Sequence, residues 1–222
     1  TTFATPPSRH PLVSCPKSGT FIAATVADML ASKKESINLH IMQAIRNFNR
    51  ATAAGPLSLP AAILQEVLTQ SPDALTAYGW YVMAAIKGKC SAVWRDFLSR
   101  ASLSALKKGE GGGVRPIAVA CVDRRVISKI LMGLAKPRCP AYFLACNQFG
   151  VGVPTGTEVV VHTSSTLLRR AKRDGRTDMV EIQLDATNAF NRCSRAAFLE
   201  VVRRDWQWML PWVEMMYGTP SA

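Results

Sequence analysis

The stretch Ser102–Val119, "SLSALKKGEGGGVRPIAV", decides the fold class of this chain of 222 residues. Two short apolar runs flank a glycine-rich tip, Lys107–Gly113, which is the pattern of a β-hairpin with a long loop. The first hundred residues instead place apolar side chains at helical spacing. The sequence therefore predicts an α+β fold, in which a helical N-terminal region precedes the hairpin.

Start and stop signals divide the region before the hairpin into helices. Gly55 and Pro56 end the first helix, and Pro72 takes the first turn of the third helix, directly after Ser71. The predicted helices cover residues 37–53, 60–69, 72–86 and 92–100.

An amphipathic helix is predicted directly after the hairpin. Val122, Val126, Ile130 and Leu134 share one of its faces, and Pro137 ends it. The segment that follows, residues 142–156, is expected to be a loop or a short strand.

The last third of the chain predicts a helix, a strand and two further helices. Thr155 or Thr157 caps the first helix, which extends to about Arg173. Apolar alternation over residues 179–184 predicts a strand that ends at Asp185. Ser194 caps a helix over residues 195–205, and a final short helix follows.

The charge of the chain points to a polyanionic partner. The formal net charge is +12, and residues 124–176 contain ten Lys or Arg against two acids. Nucleic acid is the simplest partner for such an excess, and an anionic membrane surface is the alternative. No run of 18 apolar residues occurs, so a membrane-spanning helix is not expected.

The N-terminus and the cysteines bear on the compartment. Residues 1–20 contain four prolines and no acid, which predicts an extended basic tail. This composition favours an organelle such as the mitochondrion, although the Arg-rich amphipathic helix of a transit peptide is missing. The six cysteines form no C-x-x-C pair and are interpreted as buried thiols in a reducing compartment, not as a zinc site.

Five segments together resemble the reverse transcriptases of non-long-terminal-repeat retrotransposons. In chain order they are "GGGVRPIAV" (111–119), "DRRVISKILM" (123–132), "NQFGVGVPTGTEVVVH" (147–162), "LDATNAFNRCSRAAFLEVV" (184–202) and "MMYGTPSA" (215–222). Composition and helical spacing predict an extended basic tail over 1–20 and a helical region over 21–102. The resemblance covers about residues 103–222 and implies a fingers-like region over 103–178 and a truncated palm-like sheet with helices over 179–222.

The resemblance also implies roles for individual residues. Lys107 or Lys108 and Arg115 correspond to fingers residues at the phosphates of the incoming nucleotide. Phe190 corresponds to the aromatic residue that excludes a 2′-hydroxyl, and Gln148 belongs to the template-side segment of the fingers. The basic residues expected to contact nucleic-acid phosphates, beyond the hairpin, are Arg124, Arg125, Lys129, Arg169, Arg170, Lys172 and Arg173.

Asp185 corresponds to the first palm aspartate, which binds magnesium. Without the resemblance, Asp185 reads as a capping or turn residue. Phosphoryl transfer of this kind uses two metal ions, and the chain contains no Asp-Asp pair to complete their ligands. We therefore expect no polymerase activity and no cofactor for the chain as given, and magnesium only where another segment or chain supplies the missing carboxylates.

Three functions remain open at this point. The first is a catalytically incomplete relative that binds RNA as a structural subunit of a large ribonucleoprotein, such as an organellar ribosome. The second is a fragment or split half of an active reverse transcriptase. The third is a protein scaffold within an assembly, with Trp206, Trp208 and Trp212 as candidate contacts to other proteins or, alternatively, as core residues of this chain.

Overall fold

The α+β class is confirmed by a computed structural model that describes residues 35–49, 51–107, 109, 113–186 and 189–218. The helices are α1 (Glu35–Arg46), α2 (Ala61–Gln70), α3 (Pro72–Ile86), α4 (Ala92–Ser99), α5 (Val122–Ala135), α6 (Cys139–Ala145), α7 (Gly156–Arg173), α8 (Ala189–Arg192), α9 (Arg195–Asp205) and α10 (Leu210–Tyr217), with a 3₁₀ turn at Gln207–Met209. Strands β1 (Ala101–Lys107) and β2 (Val114–Ala120) form one antiparallel pair. The expected tail over residues 1–20 lies outside the described residues.

The chain divides into two compact units. Of the described residues, those from 35 to 134 and from 190 to 218 belong to the larger unit, and those from 135 to 189 belong to the smaller unit. None of the described helices has the length and the apolar composition needed to cross a bilayer.

The core of the larger unit is built from the apolar faces of its helices. The fully buried side chains include Ile41 and Ile45 of α1, Val82 and Ile86 of α3, and Val126 and Ile127 of α5. Trp212 and Met216 of α10 join the same cluster. All four residues of the predicted apolar face of α5, from Val122 to Leu134, are buried, which confirms that helix and its orientation.

Serine caps fix the starts of three helices. The Ser71 hydroxyl accepts a hydrogen bond of 3.2 Å from the Ala74 N–H, and Pro72 lies in the first turn of α3. The Ser91 and Ser194 hydroxyls accept from the Trp94 and Ala197 N–H groups in the same way. The Ser194 cap predicted for α9 and the predicted start of α3 with Pro72 in its first turn are confirmed.

The first helix is shorter than predicted, because the chain turns away at Phe48. Its N–H donates to the Ile45 carbonyl, and no helix continues to residue 53. Gly55 then has a φ of +76°, and a Cβ there would lie 2.6 Å from the Ala120 carbonyl oxygen. The chain therefore passes so close to the base of the hairpin that only glycine fits.

The hairpin is confirmed, with Ala101 opposite Ala120 and Lys107 opposite Val114. Nearly all of its side chains are exposed. A two-stranded ribbon that packs so little of its surface gains little stability of its own.

Residues 139–145 correct one prediction. They form helix α6, where a loop or short strand was expected from residue 142 onwards. The aromatic run of Tyr142 and Phe143 shows no clear period, but Pro140 lies in the first turn of α6 and suits a helix start. Cys139 and Tyr142 are buried.

The predicted strand over residues 179–184 is wrong, and no palm-like sheet occurs among the described residues. These residues form no regular secondary structure, and the alternating side chains Val180, Ile182 and Leu184 are 82%, 76% and 92% exposed. Alternation determines which side chains would share a face of a strand, whereas a strand also needs a neighbour for its backbone N–H and C=O groups. No described strand pairs with this segment.

The C-terminal tryptophans, candidates for either protein contacts or core packing, are buried to different extents within the chain. Trp206 and Trp212 are only 7% and 4% exposed, and Trp208 is half-buried against the core. Burial supports the alternative of core packing for Trp206 and Trp212.

Candidate nucleic-acid interface

The hairpin tip presents two basic side chains on opposite faces of the ribbon. Lys107 pairs with Val114, and Arg115 pairs with Leu106, one register step further. Because successive residues of a strand point to opposite faces, Lys107 and Arg115 project in opposite directions. Both are exposed. Lys108 lies outside the described residues.

Arg124 of α5 has partners inside the larger unit. Its guanidinium donates a hydrogen bond of 3.1 Å to the Ser99 carbonyl at the end of α4. The guanidinium carbon also lies 5.4 Å from the ring centroid of Tyr217 in α10. Arg124 is half-buried and joins three helices. Its guanidinium already interacts with groups of the protein, which leaves less of it available to an anion.

Arg125 and Lys129 of α5 hold the segment that follows α1. The Arg125 guanidinium donates to the Ala53 carbonyl. The Lys129 ammonium donates to the Asn47 carbonyl at 3.1 Å and lies 3.9 Å from the ring centroid of Phe48. Lys129 remains exposed, and its ammonium carries three N–H donors. Of the three basic residues of α5, Lys129 is thus the best placed to contact an anion.

Gln148 belongs to a tight turn of the smaller unit, between α6 and α7. The side-chain oxygen of Gln148 accepts a hydrogen bond of 2.8 Å from the Gly150 N–H, and the backbone N–H of Gln148 donates to the Phe143 carbonyl at 2.8 Å. A Cβ on Gly156 would collide with the Phe149 carbonyl oxygen, so this turn packs directly on the start of α7. The Gln148 side chain is exposed and retains its amide donors.

The four basic residues at the end of α7 are all exposed. The Arg169 guanidinium donates to the Ser165 carbonyl of its own helix, and Arg173 forms an exposed ion pair of 3.3 Å with Asp174. Arg170 and Lys172 have no side-chain partner among the residues that the structure describes. Cations in the last turn suit the helix dipole. Gly175, with a φ of +64°, follows directly after Asp174, as predicted for the helix stop.

Helix α7 separates charged from apolar side chains. At 3.6 residues per turn, Arg169, Lys172 and Arg173 lie opposite Val160, Leu167 and Ala171, and Arg170 lies at the flank. We call the exposed side formed by Arg169, Lys172 and Arg173 the basic face of α7.

Thr155 holds the position before the helix with a φ of +54° and forms no side-chain cap, contrary to one of the two predicted caps.

Asp185 does not by itself fit a pair of magnesium ions. It is one exposed carboxylate on the irregular segment that follows α7 in the smaller unit. In the described ranges, no three His, Cys, Asp or Glu side chains come together to hold a metal ion. Phe190 falls in the single turn α8, and its side chain lies outside the described residues.

One concave site went unnoticed in the sequence. A groove of about 320 Å³ lies between α1 and α5 and is lined by His40, Gln43, Asn47, Lys129, Ile130 and Gly133. His40 and Gln43 of α1 and Asn47 just after it recur at spacings of three and four, which is a visible signal of a polar stripe. Partial burial lowers the pKa of His40.

A buried acid was also missed, although it lies outside any groove. Asp123 is 9% exposed, and its carboxylate accepts a hydrogen bond of 2.8 Å from the Tyr78 hydroxyl. Burial raises the pKa of Asp123, and the bond from Tyr78 lowers that pKa by a smaller amount. The pKa of Tyr78 is raised, first by burial and then by the charge of Asp123. Because this cluster is enclosed in the core, we assign it a structural role.

Comparisons with models of protein families, with curated proteins and with solved structures find no match to this chain.

Proposed function

We propose that this chain is a reverse-transcriptase-related protein that binds RNA through its phosphates and serves as a structural subunit of a large ribonucleoprotein, such as an organellar ribosome. The observation that carries the proposal is the basic face of α7. Its cations are exposed, gathered within five residues and opposed to an apolar face.

Phosphate contacts supply affinity without reading sequence. Each cation that neutralises a phosphate releases counterions, so the affinity falls steeply as salt is added. Solubility alone requires a smaller charge excess than the net charge of +12. On the larger unit, Lys107, Arg115 and Lys129 supply further exposed cations, whereas Arg124 and Arg125 mainly join parts of the fold.

The proposal is tested on the native protein. Its extract is separated on a density gradient with and without RNase, and the co-migrating molecules are identified. We expect a large particle that RNase disrupts. Migration in a particle that resists RNase, together with no RNA affinity of the purified protein at about 100 mM salt, would exclude the proposal.

The exposed segment beside Asp185 favours a second candidate, the split half of an active polymerase. Val180, Ile182 and Leu184 alternate with Glu181 and Gln183, and all five side chains are exposed. A further chain or segment that adds strands here would bury those apolar side chains and place carboxylates near Asp185. The same gradient decides between the candidates, because this one predicts a co-migrating polypeptide with a Tyr-x-Asp-Asp sequence.

A further inference from the structure

We propose that the groove between α1 and α5 binds one nucleotide of single-stranded RNA, with its phosphate at Lys129 and its base over Gly133. The inference rests on the proposed RNA-binding function and adds a second, concave contact to it. This site lies entirely within the larger unit and uses no residue of α7.

The size of the groove suits one nucleotide unit. Its volume of about 320 Å³ falls at the lower end of the range of ~300–1,000 Å³ that is usual for small-molecule sites. Part of its lining is apolar or small: Ala44 and Ile130 are buried, and Gly133 adds no side chain. A Cβ on Gly133 would meet no atom within 4 Å, so the space above this residue is open. A planar base can lie over such a surface.

Lys129 is held where a phosphate would bind. Its ammonium lies 3.9 Å from the Phe48 ring centroid and donates one hydrogen bond to the Asn47 carbonyl. These two contacts fix the position of the charge, and two N–H donors remain for an anion. None of the residues that line the groove is acidic, so no carboxylate among them competes for the ammonium.

The remaining polar groups suit the edges of a base. Gln43 of α1 and Asn47, which directly follows α1, each carry an amide with both donors and acceptors, and the Asn47 amide donates one hydrogen bond of 2.9 Å to the Gln43 carbonyl. His40 lies one turn before Gln43, and partial burial lowers the pKa of its imidazole, which favours the neutral form. A neutral imidazole both donates and accepts hydrogen bonds. Exposed bases of single-stranded RNA are recognised by such groups together with a surface on which the base can lie.

Gly133 provides a test that leaves the core intact. Gly133→Leu fills the open space above the helix, and Met132→Leu is the matched control because it changes an exposed side chain of the same helix that does not line the groove. Binding of an oligouridine of about ten nucleotides is measured by fluorescence anisotropy. We expect the Gly133→Leu affinity to fall about tenfold and the Met132→Leu affinity to stay within about twofold of the wild type.

A second variant tests the phosphate contact of the groove, and the folding of each variant is checked. Lys129→Gln removes the charge, keeps an amide donor and is expected to weaken binding about fivefold. Far-ultraviolet circular dichroism and the thermal unfolding of each variant are compared with the wild type.

A third readout is the imidazole signal of His40 in NMR spectra, assigned with His40→Gln, during titration with uridine monophosphate. We expect the signal to shift in the wild type and to stay unchanged in Gly133→Leu.

The results separate this inference from the proposed function. If the wild type binds RNA and folded Gly133→Leu binds it equally well, the groove is not a nucleotide site, and the proposed function stands. The inference also fails if the His40 signal of the wild type does not respond to the mononucleotide. If the wild type binds no RNA, the proposed function fails and this inference fails with it.

Discussion

The hydroxyl of Tyr78 donates a hydrogen bond of 2.8 Å to the carboxylate of Asp123 and thereby ties α3 to the first turn of α5. The two residues are 45 positions apart in the chain. An acid in the first turn also favours the helix dipole. The bond thus compensates part of the free energy that burial of the carboxylate costs.

This pair predicts how the stability of the larger unit depends on pH. Because burial raises the pKa of Asp123 in the folded state, the native protein holds this proton more tightly than the unfolded chain does. The contribution to stability is therefore complete below the unfolded-state pKa and is lost as the pH rises through the folded-state pKa. In urea unfolding at a series of pH values, the stability of Asp123→Asn relative to wild type should increase over that window. A relative stability that is the same at every pH would contradict the raised pKa.

Removing the hydrogen-bond donor to Asp123 should instead destabilise the protein. Tyr78→Phe removes the donor and leaves a buried carboxylate without its hydrogen bond. We expect the free energy of unfolding at neutral pH to fall by about 1–3 kcal/mol. In the Tyr78→Phe, Asp123→Asn double variant the loss should be smaller than that of Tyr78→Phe alone, because the buried carboxylate is gone. Equal losses would show that the hydroxyl stabilises the fold through other contacts.

Gly55 predicts a large effect from a single methyl group. Gly55→Ala combines a φ of +76° with a Cβ that would lie 2.6 Å from the Ala120 carbonyl oxygen. We expect it to lower the free energy of unfolding by about 2 kcal/mol or more. Gly133→Ala is the control, because its Cβ enters open space within α5 and should stabilise the protein by about 0.5–1 kcal/mol. Both values come from chemical denaturation, and equal effects would refute the close approach at Gly55.

The segment before Asp185 predicts a change in surface properties with little change in stability. The side chains of Val180, Ile182 and Leu184 are exposed, so replacing all three with Thr should alter the unfolding midpoint little. The same variant should bind less of an apolar fluorescent dye. Ile45→Ala, in the core, should instead cost about 2–5 kcal/mol. A triple variant that unfolds as readily as Ile45→Ala would mean that the segment is packed in solution.

Local signals in the sequence predicted local structure well. The spacing of Val122, Val126, Ile130 and Leu134 identified the buried face of α5, because helical periodicity depends only on nearby positions. Ser71 and Ser194 marked helix starts for the same reason, since a capping hydroxyl reaches only three residues along the chain. The glycine-rich tip located the turn of the hairpin.

Contacts between distant residues could not be predicted. Arg124 and Arg125 were expected to face a nucleic acid, but their partners are the carbonyls of Ser99 and Ala53, which are 25 and 72 residues away. A backbone carbonyl carries no side-chain signature, so the sequence gives no sign of such a partner. The segment over 179–184 has the alternation of a strand, but whether a strand forms depends on a neighbour that the pattern cannot specify.

The central claim, RNA binding through the basic face of α7, is tested most directly by the salt dependence of RNA affinity. Arg169→Gln/Lys172→Gln removes two charges from that face, and Lys87→Gln/Lys89→Gln removes two exposed charges from the segment that follows α3 as a matched control. For each lost contact to single-stranded RNA, the slope of log affinity against log salt should flatten by about 0.7, for every RNA sequence alike. We predict this flattening for the α7 variant and a wild-type slope for the control. Equal slopes for both variants and the wild type would contradict the claim.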